Sequence, residues 1–204
     1  VSVNKQQFAP KKFDNSATID NVISKPADGV PTSRSTVVWT NDFSTPGDWT
    51  IDNNSQTGAQ HGWNINATSE GWFSNFQAAM NSTSGGNYAE VQNGDYNAND
   101  QAIGVTYTMT TSASIDVMTL AGTDQASIQF EQWGALFNDE QTVHISTDGT
   151  TWTEVFSNAG RDAFIGNNPS AIYANPEVIT ANIAPVITGN ASTVWIRFQW
   201  TSAF

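Results

Sequence analysis

The stretch VHISTDGTTWTEVF, residues 143–156, constrains the fold of this chain more than any other part of it. Val143 and Ile145 alternate with His144 and Ser146, Asp148-Gly149 supplies a pair that tolerates positive φ, and Thr151, Thr153 and Val155 alternate with Trp152, Glu154 and Phe156. Successive side chains of a strand point to opposite faces, so the pattern predicts two short strands joined by a tight turn. The same period of two recurs over residues 36–43, 49–51, 63–65, 88–91, 103–111, 127–133, 141–146, 151–156 and 194–200. It is cleanest in the last, where Val194, Ile196, Phe198 and Trp200 share one face and Trp195, Arg197 and Gln199 the other.

Polar turn clusters at 52–60, 82–87, 93–100 and 166–170 separate these segments. Many short alternating segments with polar loops between them predict an all-β fold, an antiparallel β-sandwich of jelly-roll-like topology. One hairpin of the S-x-D-G-x-x-W kind is too few for a propeller. Residues 1–36 differ: they hold Pro10, Pro26 and Pro31, five of the seven basic residues and no sustained period. They read as an extended N-terminal arm or spacer, with the sandwich spanning 37–204.

Charge narrows the partners. Seven Lys+Arg against 19 Asp+Glu give a formal net charge of -12, which repels phosphate backbones and anionic lipid and excludes nucleic acid as a partner. No run of about 18 apolar residues exists, so no membrane insertion is expected. Cysteine is absent, which removes disulfides, thiolate metal sites and a Cys nucleophile. Asn, Thr, Ser, Gly and aromatics dominate instead, the composition of β-rich modules outside the cell. The chain is therefore expected to be secreted or displayed at a cell surface, and its lack of an initiator Met fits a processed or a trimmed chain. Without disulfides, bound Ca²⁺ is the expected brace for its loops, since a hard cation suits an acidic, oxygen-rich surface.

Asn93 to Asp100 read N-G-D-Y-N-A-N-D, placing oxygen side chains at Asp95, Asn97 and Asn99 with the alternate spacing that wraps a loop around calcium. The alternative for the same loop is a solvated run of Asx turns. Asp52, with Asn54 and Gln56, forms a weaker second set. Trp72 and Phe73 lie in a long polar connection, where they either contact a glycan or protein ligand or fold back into the core. Asp139-Glu140 is a carboxylate pair, the raw material of glycosidase chemistry, but a loop between two strands is the simpler reading. His144 is expected on a strand face and His61 in a Gly-containing turn. Neither an H-E-x-x-H helix nor a G-x-S-x-G elbow occurs, so no catalytic residue is assigned and no enzyme is expected.

Three landmarks in order carry a family resemblance: VVWTNDFSTPGDWTID with HGWNI, then NYAEVQNGD, then ASIQFEQWGALFNDEQTVHISTDGTTWTEVF with VWIRFQW beyond it. Residues 37–204 resemble the cleaved-adhesin or choice-of-anchor J group of jelly-roll modules, related in shape to MAM domains. That group belongs to secreted and surface proteins of Bacteroidetes-type bacteria, many exported by the type 9 system. The resemblance implies that Asp42, on the first strand, helps to bind a structural calcium. Family members continue past the W-x-R-F strand into a final strand containing D-D-V, so the closing strand of the sheet is expected to be missing from this sequence.

The function these readings imply is that of a non-catalytic adhesion or recognition module of a larger surface protein. Two alternatives stand beside it. The chain is the accessory domain of a secreted peptidase or other hydrolase, or it is a structural subunit of a filament or layer that self-assembles by strand addition through the N-terminal arm or the open strand position.

Overall fold

The alternation of residues 194–200 becomes the central strand of the molecule. The computed structural model describes residues 36–56, 60–69, 79–94, 100–120, 122, 125–166, 168–189 and 191–202. Its strands are β1 (Trp49–Asp52), β2 (His61–Asn66), β3 (Tyr88–Asn93), β4 (Thr106–Thr111), β5 (Ile115–Asp116), β6 (Ser127–Gln132), β7 (Asp139–Ser146), β8 (Thr153–Ser157), β9 (Glu177–Asn182) and β10 (Thr193–Ser202). The main sheet has the order β1-β4-β10-β7-β8, and β5 joins the start of β10. Two two-stranded sheets, β2-β3 and β6-β9, make up the rest, and every named pairing is antiparallel. The fold is an all-β antiparallel sandwich.

Period-two burial explains why β10 sits in the middle. Val194 and Ile196 are buried between β4 or β5 on one side and β7 on the other, and they join Val143, Ile145, Ile115, Val117, Ile183 and Ile187 in one core. Phe198 continues the same face. Its ring meets Trp49 of β1 at 5.9 Å, Trp63 of β2 at 6.4 Å and Phe130 of β6 at 5.3 Å. One side chain therefore touches the main sheet and both smaller pairs, in the tilted and edge-on geometries that aromatic quadrupoles favour.

Five local expectations need correction. The hairpin at 143–156 forms, but its connection is six residues, 147–152, rather than a tight turn. Asp148 is the reason: its carboxylate accepts from Thr150 N, Thr151 N and Thr151 Oγ1 at 2.6–2.8 Å and from Ser146 Oγ at 2.9 Å, which winds a wider loop. Gly149 does take the positive φ, +74°, and lies against the Trp195 ring, where a Cβ would touch at 3.5 Å. Residues 36–43 are not a strand. They run beside the start of β3 with one backbone bond, Asn87 N to Asp42 O at 2.8 Å, while Trp39 packs edge-on against Trp49.

Asp139 and Glu140 open β7 instead of lying in a loop, and His61 opens β2 instead of occupying a turn. Lastly, β5 and β9 are additional to the predicted segments. In β9 the buried residues Ile179 and Ala181 alternate with exposed Val178 and Thr180, a pattern diluted by its small and apolar outward residues.

Ile145 is fully buried at the centre of the core, whereas Thr108 lies on the opposite face of the sheet. Ile145→Ala is expected to lower the unfolding free energy by about 2–5 kcal/mol. Thr108→Ala is expected to change it by less than about 0.5 kcal/mol, both read from urea denaturation.

Candidate functional site

Of the acidic residues expected to bind calcium, Asp42 and Asp52 are described, and each is bonded within its own turn. Asp42 Oδ1 accepts from Ser44 N at 3.0 Å, and this bond first of all holds its carboxyl below the usual range. Asp52 ends β1 on the outer face of the main sheet, and its Oδ1 accepts from Asn54 N at 2.8 Å. Both shape their own turns. Among the described residues, no three or more His, Cys, Asp or Glu side chains are gathered to hold a metal ion. Asp95, Asn97 and Asn99 lie outside the described residues, as do Trp72 and Phe73.

Two further carboxylates, Asp139 and Glu131, are also held by close partners. Asp139 accepts from Phe137 N and Gln141 Nε2 at 2.7 Å and from Trp200 Nε1 at 2.8 Å, while exposed Glu140 points to the other face of β7. A carboxylate pair divided between two faces cannot flank one glycosidic bond, because both groups must reach the same atom. Glu131 of β6 accepts from Ser82 Oγ at 2.8 Å, from Thr83 N at 2.9 Å and from Thr83 Oγ1, tying the connection before β3 to β6.

A polar network that sequence reasoning missed closes one end of the sandwich. Asn158, 1% exposed, donates to Gln132 Oε1 at 3.1 Å and to Gln141 Oε1 at 2.9 Å. Tyr173 also donates to Gln141 Oε1, at 3.0 Å, and burial pushes its phenol upward, so it remains a donor. Arg161 lies over the Tyr173 ring at 4.4 Å and bonds Glu177 at 3.0 Å, while Gln132 Nε2 reaches the other Glu177 oxygen at 2.7 Å. Amides and ring hydroxyls spread over residues 132–177 carry no periodic signal, which is why the pattern is invisible in the sequence. The donors and acceptors answer one another, and the network fixes loops instead of presenting a reactive group.

The outer face of the main sheet is different. Thr50, Thr110, Arg197, His144 and Glu154 form one row across β1, β4, β10, β7 and β8. Asp52, Thr108, Gln199, Thr142 and Ser157 form the next. Trp152 reaches over Arg197 from the β7–β8 connection, with the guanidinium carbon 3.7 Å from its ring centroid, and Arg197 Nε donates to Thr110 Oγ1 at 3.0 Å. A stacked and bonded guanidinium is a fixed one. Asp52 supports its charge against the cost of burial. Burial pushes the His144 imidazole downward, opposed by Glu154 and assisted by Arg197, so at neutral pH the ring is uncharged beside Thr142 Oγ1 at 2.9 Å. The alternation of residues 194–200 carried the signal for this face, since it set Trp195, Arg197 and Gln199 apart from the core.

No protein-family model, no curated protein and no solved structure matches the chain.

Two predictions follow from the polar side chains. Asn158→Ala strips partners from Gln132 and Gln141 in a buried setting, with an expected loss of about 1–3 kcal/mol of stability by urea denaturation. The Asp148 carboxyl is held far below its usual range, first by Thr151 N, then by Thr150 N and the hydroxyls of Thr151 and Ser146. A depressed folded pKa contributes stability above the unfolded value of about 4, and that contribution disappears as pH falls toward the folded value. Asp148→Asn should therefore lower the melting temperature at neutral pH, with the gap to the parent closing below about pH 4.

Proposed function

We propose that the chain is a non-catalytic recognition module of a secreted or cell-surface protein, of the adhesin type that its sequence resembles. The observation that carries this reading is the outer face of the main sheet, where a fixed arginine, Trp195, several threonines and Gln199 are presented by strands, with Trp152 laid over Arg197 from the β7–β8 connection. Sites on strands hold their geometry better than sites on loops, so such a face suits binding by contact. Its support is strengthened by the acids: Asp42, Asp52, Asp139 and Asp148 each accept backbone N–H bonds that shape a turn or strand end. Composition supports the extracellular setting, and the acidic, Asn-rich loops support calcium as a stabilising ion.

A second reading has one observation in its favour. Among the described residues, β3 and β6 are each paired along a single edge, because β2-β3 and β6-β9 are separate two-stranded units. Open strand edges accept further strands, which supports assembly through the N-terminal arm.

For the first reading, the purified chain should bind a cell-surface extract without consuming it, and its melting temperature should rise with added Ca²⁺ and fall back with chelator. Turnover of a bound substrate by the chain alone would overturn the recognition reading, while an unmoved melting temperature would remove calcium from it. For the second, size-exclusion chromatography should show concentration-dependent assembly that is lost on deleting residues 1–35.

A further inference from the structure

The two rows on the outer face and the rings beside them specify a ligand chemistry. Within the rows the ionic groups are Arg197 near the middle, Asp52 on β1 and Glu154 on β8, with His144 uncharged. One cation is thus flanked by two carboxylates at opposite edges of the sheet, in a chain whose formal charge is -12. An anionic ligand meets a repulsive field, and a basic one finds no concentrated patch of negative charge to bind. Charge complementarity favours an uncharged partner.

The remaining side chains say which kind. Thr50, Thr108, Thr110 and Gln199 each both donate and accept hydrogen bonds, as a sugar hydroxyl does. Trp152 and Trp195 are half-buried, one held by Arg197 and the other by the Asp148-Gly149 connection, so each ring is fixed before any ligand arrives. Rigid rings lose little entropy on binding, and a pyranose presents a C–H face that packs on such a ring. A protein partner would need a contiguous apolar centre. The large apolar side chains that stand most exposed among the described residues are Val37, Val38, Ile103, Met118, Phe137, Ile165 and Val178, and none of them belongs to these rows.

We propose that the outer face of the main sheet is a binding site for an uncharged glycan chain, stacked on Trp152 and Trp195 and hydrogen-bonded along the Thr110 and Gln199 rows. The inference rests on the recognition reading above and deepens it by naming the site and the ligand class. Neighbouring strands stand about 4.8 Å apart, a step comparable to one sugar residue, so a chain crossing from β4 to β10 meets Thr108 or Thr110 and then Gln199 or Arg197. Arg197 acts as a donor to neutral oxygens here and, by stacking, as the support of the Trp152 ring.

The test is affinity electrophoresis of the full chain through gels containing neutral polysaccharides (a β-glucan, a xylan, a mannan) or acidic ones (a polygalacturonate, an alginate), at low and high salt. Retardation by at least one neutral polysaccharide, little changed by salt, is expected. Trp152→Ala should weaken it about tenfold. Gln199→Ala, which leaves the core and the Arg197 stack in place, should weaken it severalfold while the melting temperature is unchanged. Full retention in both variants would overturn the assignment of the site. Retardation by acidic polysaccharides alone, or by none, would overturn the ligand class, and binding of a surface protein in that case would leave the recognition reading standing. Release of new reducing ends from any of the polysaccharides would overturn both.

Discussion

The structure depends on one constraint: β10 has neighbours on both edges, so its period of two must separate a core face from an outer face with no freedom to slip. A one-residue shift of register would send Arg197 into the core and Ile196 into solvent. The pairing of Arg197 with Thr110 on one side and His144 on the other locks that register from both directions. Everything else is arranged around the two faces. On the inner one, Phe198 meets Trp49, Trp63 and Phe130, so the separate pairs β2-β3 and β6-β9 are brought onto the main sheet by aromatic contact instead of backbone bonding. On the outer one, the same alternation lays out threonines, a glutamine and an arginine in rows.

Loops in this chain are held by acids and amides. With no cysteine to staple them, the connections use side-chain oxygens that accept backbone N–H groups, which is the cheapest way to satisfy donors that no strand partner reaches. Asp148 does this for the β7–β8 connection, Glu131 ties the approach to β3, and Asn158 sits at the centre of the buried end network. Asp42, Asp52, Asp139 and Asp148 are each oriented by backbone N–H groups close to them in the chain.

The outer face is where the proposed function meets the fold. Its side chains are fixed by the requirements of the sheet: Arg197 by Trp152 and Thr110, Trp195 by the connection carrying Gly149, and His144 by Thr142. Side chains fixed in this way have little order to gain on contact, which is what the proposed recognition role asks of them.

How much of this was legible beforehand follows from the range of each interaction. Alternation in residues 143–146, 153–156 and 194–200 determined by itself that these segments are strands, and hence that the fold is an all-β sandwich, because a period of two is a local property of the backbone. It also told which side chains of β7 and β10 face the core, whereas in β8 a register shift sets Phe156 opposite Val143 and Glu154 opposite His144, on different faces. The pair Asp148-Gly149 likewise located a turn, although the reach of the Asp148 carboxylate set its length. Residues 36–43 are rich in the Val, Thr and Trp that strands favour yet form no strand, since a strand is made by its partner and not by its own composition. Likewise Asp42 and Asp52 carry the right atoms for a metal, and only folding assigned each to its own turn. The rows of the outer face and the Asn158 network belong to the tertiary structure alone: they join side chains from strands distant in sequence, and which strands lie side by side is decided by how the core packs.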